Sequence, residues 1–283
     1  MLVTSIISTK GGVGKTTVAA NLGGFIADAG LRVLLIDLDM QPTLSSYYKL
    51  KKVADCGIYE LIALNEQNVD KLVSHTSIKH LHLVFSNDDK GQLNTLLLHA
   101  PDGRFRLKNI LPLFIPHYDL ILIDTQGARS VTLEMAVVAS DKLISPVTPE
   151  VLSAREFRRG TLQLLADIAP YRHLGITLAP VGMLMNRVPP VSRNARLIQG
   201  MLHELFHAQE GVELLHTCIP ATEAWSRAAT LAAPVHRVER TRPAGRQTPA
   251  AMETLRALAC ELFPQWTSKF EAVSGKVVRE AAL

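Results

Sequence analysis

The chain has few cysteines, few aromatics and no long apolar run. Its three cysteines, Cys56, Cys218 and Cys260, are far apart, odd in number and form no C-x-x-C pair. That argues against a disulfide framework and against a structural zinc or iron–sulfur site. No apolar stretch approaches the ~18 residues a membrane span needs. The N-terminus shows no basic segment followed by a cleavable apolar one, so no secretion signal is expected and the cytoplasm is the simplest location. Disorder is excluded by composition, since 47% of the residues are hydrophobic and 20% charged. No internal repeat and no compositional break divides the 283 residues. One domain over 1–263 is therefore expected, with a basic loop at 236–248 and a short tail at 264–283.

What the chain does have is alternation. Short apolar runs at Leu2–Ser8, Arg32–Asp37, His80–Phe85, Tyr118–Asp124, Lys142–Val147, Ala179–Met185 and Val212–Ile219 read as strands. Several are apolar throughout, as in a parallel sheet covered on both faces. Helical patterns lie between them, at Thr16–Ala29, Gly57–Leu64, Gly91–His99, Ser130–Ser140, Ala154–Ala169, Ser192–Ala208 and Thr248–Phe263. The order predicts an α/β fold: a doubly wound, mostly parallel sheet with helices on both faces. Charge is uneven as well. Residues 1–150 carry 14 Lys and Arg against 15 Asp and Glu, whereas residues 151–283 carry 16 against 11, which hints at a polyanionic partner for the second half.

The first strand runs into Ser8-Thr9-Lys10-Gly11-Gly12-Val13-Gly14-Lys15-Thr16-Thr17 and then a helix, the context a phosphate-binding loop requires. Gly11, Gly12, Val13 and Gly14 would bring backbone N–H groups around phosphate oxygens at the positive end of the helix. Lys15 would reach the β- and γ-phosphates, Thr16 would ligate Mg²⁺, and Thr17 would serve the α-phosphate. The loop departs from G-x-x-x-x-G-K-[ST], with Thr9 in place of the first glycine and an additional lysine at position 10. Two lysines in one loop suggest that one serves a nucleotide on another subunit. Two further apolar strands end in carboxylates, Val33-Leu-Leu-Ile-Asp37-Leu-Asp39 and Asp119-Leu-Ile-Leu-Ile-Asp124-Thr-Gln-Gly127. Their ends fall on the sheet edge where ligands of open α/β folds collect, and Asp124 fits a Walker B aspartate for Mg²⁺.

Lys10-Gly-Gly-Val-Gly-Lys15-Thr-Thr, Asp37-Leu-Asp39 and Ile123-Asp124-Thr125 together resemble the motifs of the ParA/MinD family of deviant-Walker P-loop ATPases. Met185-Asn186-Arg187, and Ile219-Pro220 followed by a helical stretch to Ala233-Pro234-Val235, agree with it, so the resemblance spans roughly residues 2–236. It implies that Lys10 is a signature lysine crossing an ATP-sandwiched homodimer, and that Asp39 orients the attacking water. It also implies that Asp37 and Asp124 lie near the metal and that Asn186 and Pro220 contact adenine, with ATP and Mg²⁺ as cofactors.

Within the family the chain is most similar to the Soj-like ParA branch. It starts at the first strand, so no helix-turn-helix domain is expected before it. Phe263-Pro-Gln-Trp266-Thr-Ser-Lys-Phe270 is broken by Pro264 and has a thin cationic face, so stable membrane association is not expected. The resemblance implies an ATPase that partitions DNA from a nucleoid-associated location, binding non-specific DNA as an ATP dimer and stimulated by a ParB-like protein. A MinD-like ATPase positioning protein or membrane cargo is the alternative. Arg193, Arg196 and Arg227 are the candidates for DNA contact, with the Arg237–Arg246 cluster a looser one. Relatives commonly read R-N-V-R-L-A-E-A after Ile-Pro; here Ala224 stands at the second arginine's place and the basic residue moves to Arg227. Met40-Gln41-Pro42 likewise replaces the usual D-P-Q. Finally, His203-Glu204-Leu-Phe-His207 matches the zinc-protease pattern H-E-x-x-H, but it sits in an amphipathic helix between two strands, where surface residues are expected.

Overall fold

The computed structural model describes residues 1–274. Nine strands form one sheet: β1 (Leu2–Ile6), β2 (Val33–Asp37), β3 (Leu50–Lys52), β4 (Ser74–Thr76), β5 (Leu81–Val84), β6 (Leu120–Asp124), β7 (Lys142–Val147), β8 (Val181–Met185) and β9 (Val212–Leu214). Their spatial order is β3-β4-β5-β2-β6-β1-β7-β8-β9. From β5 to β9 every pairing is parallel, while β3–β4 and β4–β5 are antiparallel. The seven expected strands are the parallel ones. β3 and β4 were not expected: each is three residues long, and Lys51 and Lys52 expose charge along the sheet's edge, a common protection of an edge strand.

Burial on both faces explains why the central strands are apolar without alternation. Along β2, Val33 and Leu35 enter one core layer and Leu34 and Ile36 the other; β6 does the same with Leu120 and Leu122 against Ile121 and Ile123. The first layer lies under the helices Lys15–Asp28, Glu223–Thr230 and Ala251–Leu262. The second lies under Ile58–Ala63, Gln92–His99, Arg106–Ile110 and Val131–Val138. A third cluster packs Phe157, Leu164, Ile198 and Phe206 beside β7 and β8.

Three segments differ from expectation. The helix expected over Ala154–Ala169 starts at Val151 and contains a π-helical turn, Phe157–Leu162, before continuing to Ile168. The expected basic loop at 236–248 is anchored to the body of the protein. A short helix covers Val235–Val238, His236 is fully buried against Asp28 (2.8 Å), Arg237 grips Asp28 with two bonds of 2.7 and 2.6 Å, and Arg246 grips Glu239 with two of 2.7 and 2.6 Å. Two arginines read as a free basic cluster are thus taken up by carboxylates of the protein itself. Of the tail, Pro264–Trp266 and Thr267–Ala272 form short helical turns that bury Phe270; the rest, 275–283, lies outside the described residues. Among the described residues no helix is long and apolar enough to cross a membrane.

Candidate nucleotide site

β1, β2 and β6 are adjacent, so their carboxyl ends bring the three expected motifs together. β1 leads into the Gly-rich loop, and Asp37 and Asp124 are register partners across β2 and β6. Gly11 and Gly12 are exposed at the loop's crest, while Lys15 is buried at the head of the helix Lys15–Asp28. Gly14 has φ +92°, a left-handed conformation that favours glycine, and a Cβ there would collide with the Asn186 side chain. Gly127 lies so close to the loop that a Cβ on it would sit 2.6 Å from Gly11 Cα. The segment after β6 therefore rests directly on the phosphate loop. Thr125 fixes that arrangement by donating to the Ile6 carbonyl at 2.8 Å.

The electrostatics are those of an incomplete site. Asp124 is fully buried. Its Oδ2 accepts from the Thr16 hydroxyl at 2.6 Å, while its Oδ1 has no hydrogen-bond partner. Burial, and then the neighbouring Asp37, push its pKa up to about 8, with Thr16 and Lys15 opposing. Burial likewise pushes Asp37 up to about 6. Against that, Asp37 Oδ2 accepts from Ser45 N and Oγ at 2.8 and 2.7 Å, and its Oδ1 accepts from Asp39 N at 3.1 Å. Burial also lowers the Lys15 pKa, partly offset by Asp124 and Asp39. A buried carboxylate with an orphaned oxygen, beside a second carboxylate and a hydroxyl at a helix N-terminus, is the hard oxygen donor set that suits Mg²⁺. Thr16, Asp37 and Asp124 fit that ion.

The expected adenine residues line a cleft of about 510 Å³ that also touches Thr17, Trp225 and Ser226. Asn186 and Pro220 both face it, yet both polar ends of Asn186 are already engaged. Its Nδ2 donates to Val13 O at 2.7 Å, and its Oδ1 accepts from Arg187 N at 2.9 Å. Asn186 thus pins the phosphate loop from the end of β8. Arg193, Arg196 and Arg227 are exposed on two helices. Ala224 faces the core, which explains why a basic residue has no place there and Arg227, three positions on, is outward.

Lys10 lies at the loop's edge, its side chain 29% exposed. Its Nζ donates to Ser153 Oγ at 2.7 Å and lies 3.5 Å from Glu150. Sequence reasoning found neither partner, nor Ser45, nor Asn21. Asn21 is wholly buried; it donates to Thr17 O and Tyr47 Oη at 2.7 and 2.9 Å and accepts from Val235 N at 2.7 Å. A lone serine or asparagine carries no spacing signal, so only tertiary contact reveals these roles. The H-E-x-x-H histidines stack parallel on the outside of their helix, ring centroids 6.0 Å apart, and His207 Nδ1 is bonded to Glu204 O at 2.9 Å. Among the described residues no group of three or more His, Cys, Asp or Glu could hold a metal ion.

A glycine-rich loop at a helix N-terminus, an orphaned strand-end aspartate and a parallel sheet define a P-loop nucleotide hydrolase. The "AAA domain" family model matches residues 1–172. The chain is 30% identical to an uncharacterized protein of Methanocaldococcus jannaschii, over 86% of this chain and 94% of that one. It is 30% identical to the sporulation initiation inhibitor protein Soj of Bacillus subtilis, over 65% of this chain and 71% of Soj. Among solved structures, the ATP complex of a Cyanothece McdA variant superposes with a TM-score of 0.71 at 21% identity, covering 100% of this chain and 96% of that one. The chain belongs to the ParA/MinD family of P-loop ATPases and hydrolyses ATP.

Proposed function

We propose that this ATPase is a DNA-partitioning switch: ATP closes two copies into a sandwich that binds DNA without sequence preference, and a ParB-like partner accelerates hydrolysis and release. The observation that carries this reading is the division of labour between two lysines. Lys15 is buried beneath its own loop, whereas Lys10 is held at the surface by residues of another element, where a second protomer can meet it. A cation supplied in trans ties hydrolysis to dimer formation.

Bound Mg²⁺ would neutralise charge on the transferring phosphate. The protein's part is positional. Backbone amides of Gly11–Thr16 hold phosphate oxygens, Thr16 and Asp124 fix one side of the metal position, and Ser45 fixes the carboxylate of Asp37. Asp39, half-buried beside Lys15, would orient the attacking water. A nucleoid-associated location follows from non-specific DNA binding. The membrane-positioning alternative gains no support from Phe263 and Phe270, which are fully buried in the core.

The test combines ATP turnover with binding to random-sequence duplex. Wild type should turn over slowly and bind duplex only with ATP. Lys10→Ala should keep ATP binding but lose most turnover. Equal duplex binding with and without nucleotide would overturn the switch.

A further inference from the structure

The helix Val151–Ile168 touches the nucleotide machinery at three places. At its start, Glu150 and Ser153 hold Lys10. In its π-helical turn, Gly160 lies against Thr9, the residue that replaces the loop's usual first glycine; a Cβ on Gly160 would overlap the Thr9 hydroxyl. That hydroxyl is buried without a hydrogen-bond partner. Near its end, Asp167 pairs at 2.6 Å with Arg129, two residues past Gly127. π-turns are costly insertions and recur at functional sites. Here the absence of a side chain on Gly160 makes room for Thr9.

The outer face of the same helix carries Arg155, Arg158 and Arg159. All three are exposed, and none pairs with a carboxylate among the described residues. Between them Phe157 turns inward and meets Phe206, ring centroids 5.2 Å apart and edge to face. Phe206 ends the helix that begins with Arg193 and Arg196, so the two basic helices are neighbours.

We propose that Arg155, Arg158 and Arg159 form a duplex-backbone contact whose position is set by the phosphate loop through Thr9 and Gly160. The proposal rests on the DNA-binding reading above. Three guanidinium groups at i, i+3 and i+4 lie within about 6 Å of helix axis. A DNA strand offers a phosphate about every 3.4 Å along its axis, so the set can span about two. Guanidinium forks match phosphate oxygens bidentately. Leu152 and Leu205, both exposed, border this face. An acidic protein would use those leucines, whereas a phosphate backbone would not.

The experiment measures anisotropy of a labelled random-sequence duplex with full-length protein, in ATP and in ADP, over a salt series. The Arg155→Gln/Arg158→Gln/Arg159→Gln variant should bind about 100-fold more weakly in ATP, with a log–log salt slope shallower by about 0.9 for each phosphate no longer neutralised. Its turnover without DNA should match wild type, and Leu152→Ser/Leu205→Ser should bind duplex normally. Gly160→Ala should narrow the gap between ATP and ADP affinities, and adding Thr9→Gly should reopen it. Wild-type affinity and slope in the triple-arginine variant would overturn the proposal while leaving the partitioning reading intact. No duplex binding by wild type in any nucleotide state would overturn both. Equal damage from the leucine variant, with polyglutamate displacing duplex, would assign the face to an acidic protein and overturn the DNA contact. An unchanged ATP-to-ADP gap in Gly160→Ala would remove the coupling.

Discussion

β6 carries a carboxylate near each end, and the two ends could hardly differ more. At the amino end, Asp119 accepts from Arg32 N at 2.8 Å and from its guanidinium at 3.2 and 2.8 Å. The guanidinium holds the Asp119 carboxyl below its usual range, and the pair is partly open to solvent. Five residues on, Asp124 is sealed from water with one oxygen unpaired and its pKa raised to about 8. Identical side chains on one strand are complete at one end and unfinished at the other. The finished end serves the fold. The unfinished end retains an electrostatic cost that a cation and a phosphate group can offset.

The harshest way to break this contrast is to remove the cation the unfinished end does own. Lys15→Ala leaves the buried carboxylates without their counter-charge and the phosphates without their ligand. ATP turnover should fall by about 10²–10³-fold, as for loss of a preorganised charge-stabilising group. Turnover within a few-fold of wild type would mean that another cation, Lys10 first, covers the phosphates.

The second way is to titrate. The folded pKa of Asp124 lies above its unfolded value, so between the two the unfolded chain has already lost a proton that the folded chain keeps. Stability without nucleotide should therefore decline as pH rises from about 4 towards 8, Asp37 adding to the fall up to about 6. Mg²⁺·ATP should flatten the decline. Asp124→Asn should flatten it without ligand and raise the melting temperature at pH 8 by about 3 °C or more, while sharply weakening Mg²⁺-dependent nucleotide binding. Melting curves independent of pH in wild type would refute the unfinished-site account.

These two ends were unequally legible in the sequence. The strands buried on both faces announced themselves by continuous apolar runs, and Asp37 and Asp124 by their positions at the strands' ends. β3 and β4 gave no signal, because strands of three mostly polar residues have neither length nor period. The supports of the site were hidden for another reason. Asn21 meets Val235 across 214 residues of sequence, and Lys10 meets Ser153 across 143. Such partners are chosen by packing, which a local pattern does not encode. The same is true of Arg237 and Arg246, basic by sequence but neutralised by Asp28 and Glu239.

The mildest prediction concerns the finished end. Asp119→Asn removes the charge that Arg32 grips, yet the Arg32 side chain is 47% exposed, so water and salt screen the pair. Loss of stability at pH 7 should be about 1 kcal/mol or less. The sign of its pH dependence opposes that of Asp124. Because the Asp119 pKa is lowered, its contribution is present above the unfolded value and disappears as pH falls through the folded one. Wild type and Asp119→Asn should therefore converge below about pH 4 and stay parallel above it. ATP binding should be unaltered, since β2 and β6 separate Arg32 and Asp119 from the phosphate loop by their whole length. If Asp119→Asn instead changed nucleotide affinity, the two ends would be coupled through the strands, and the contrast between a structural end and a functional end would fail.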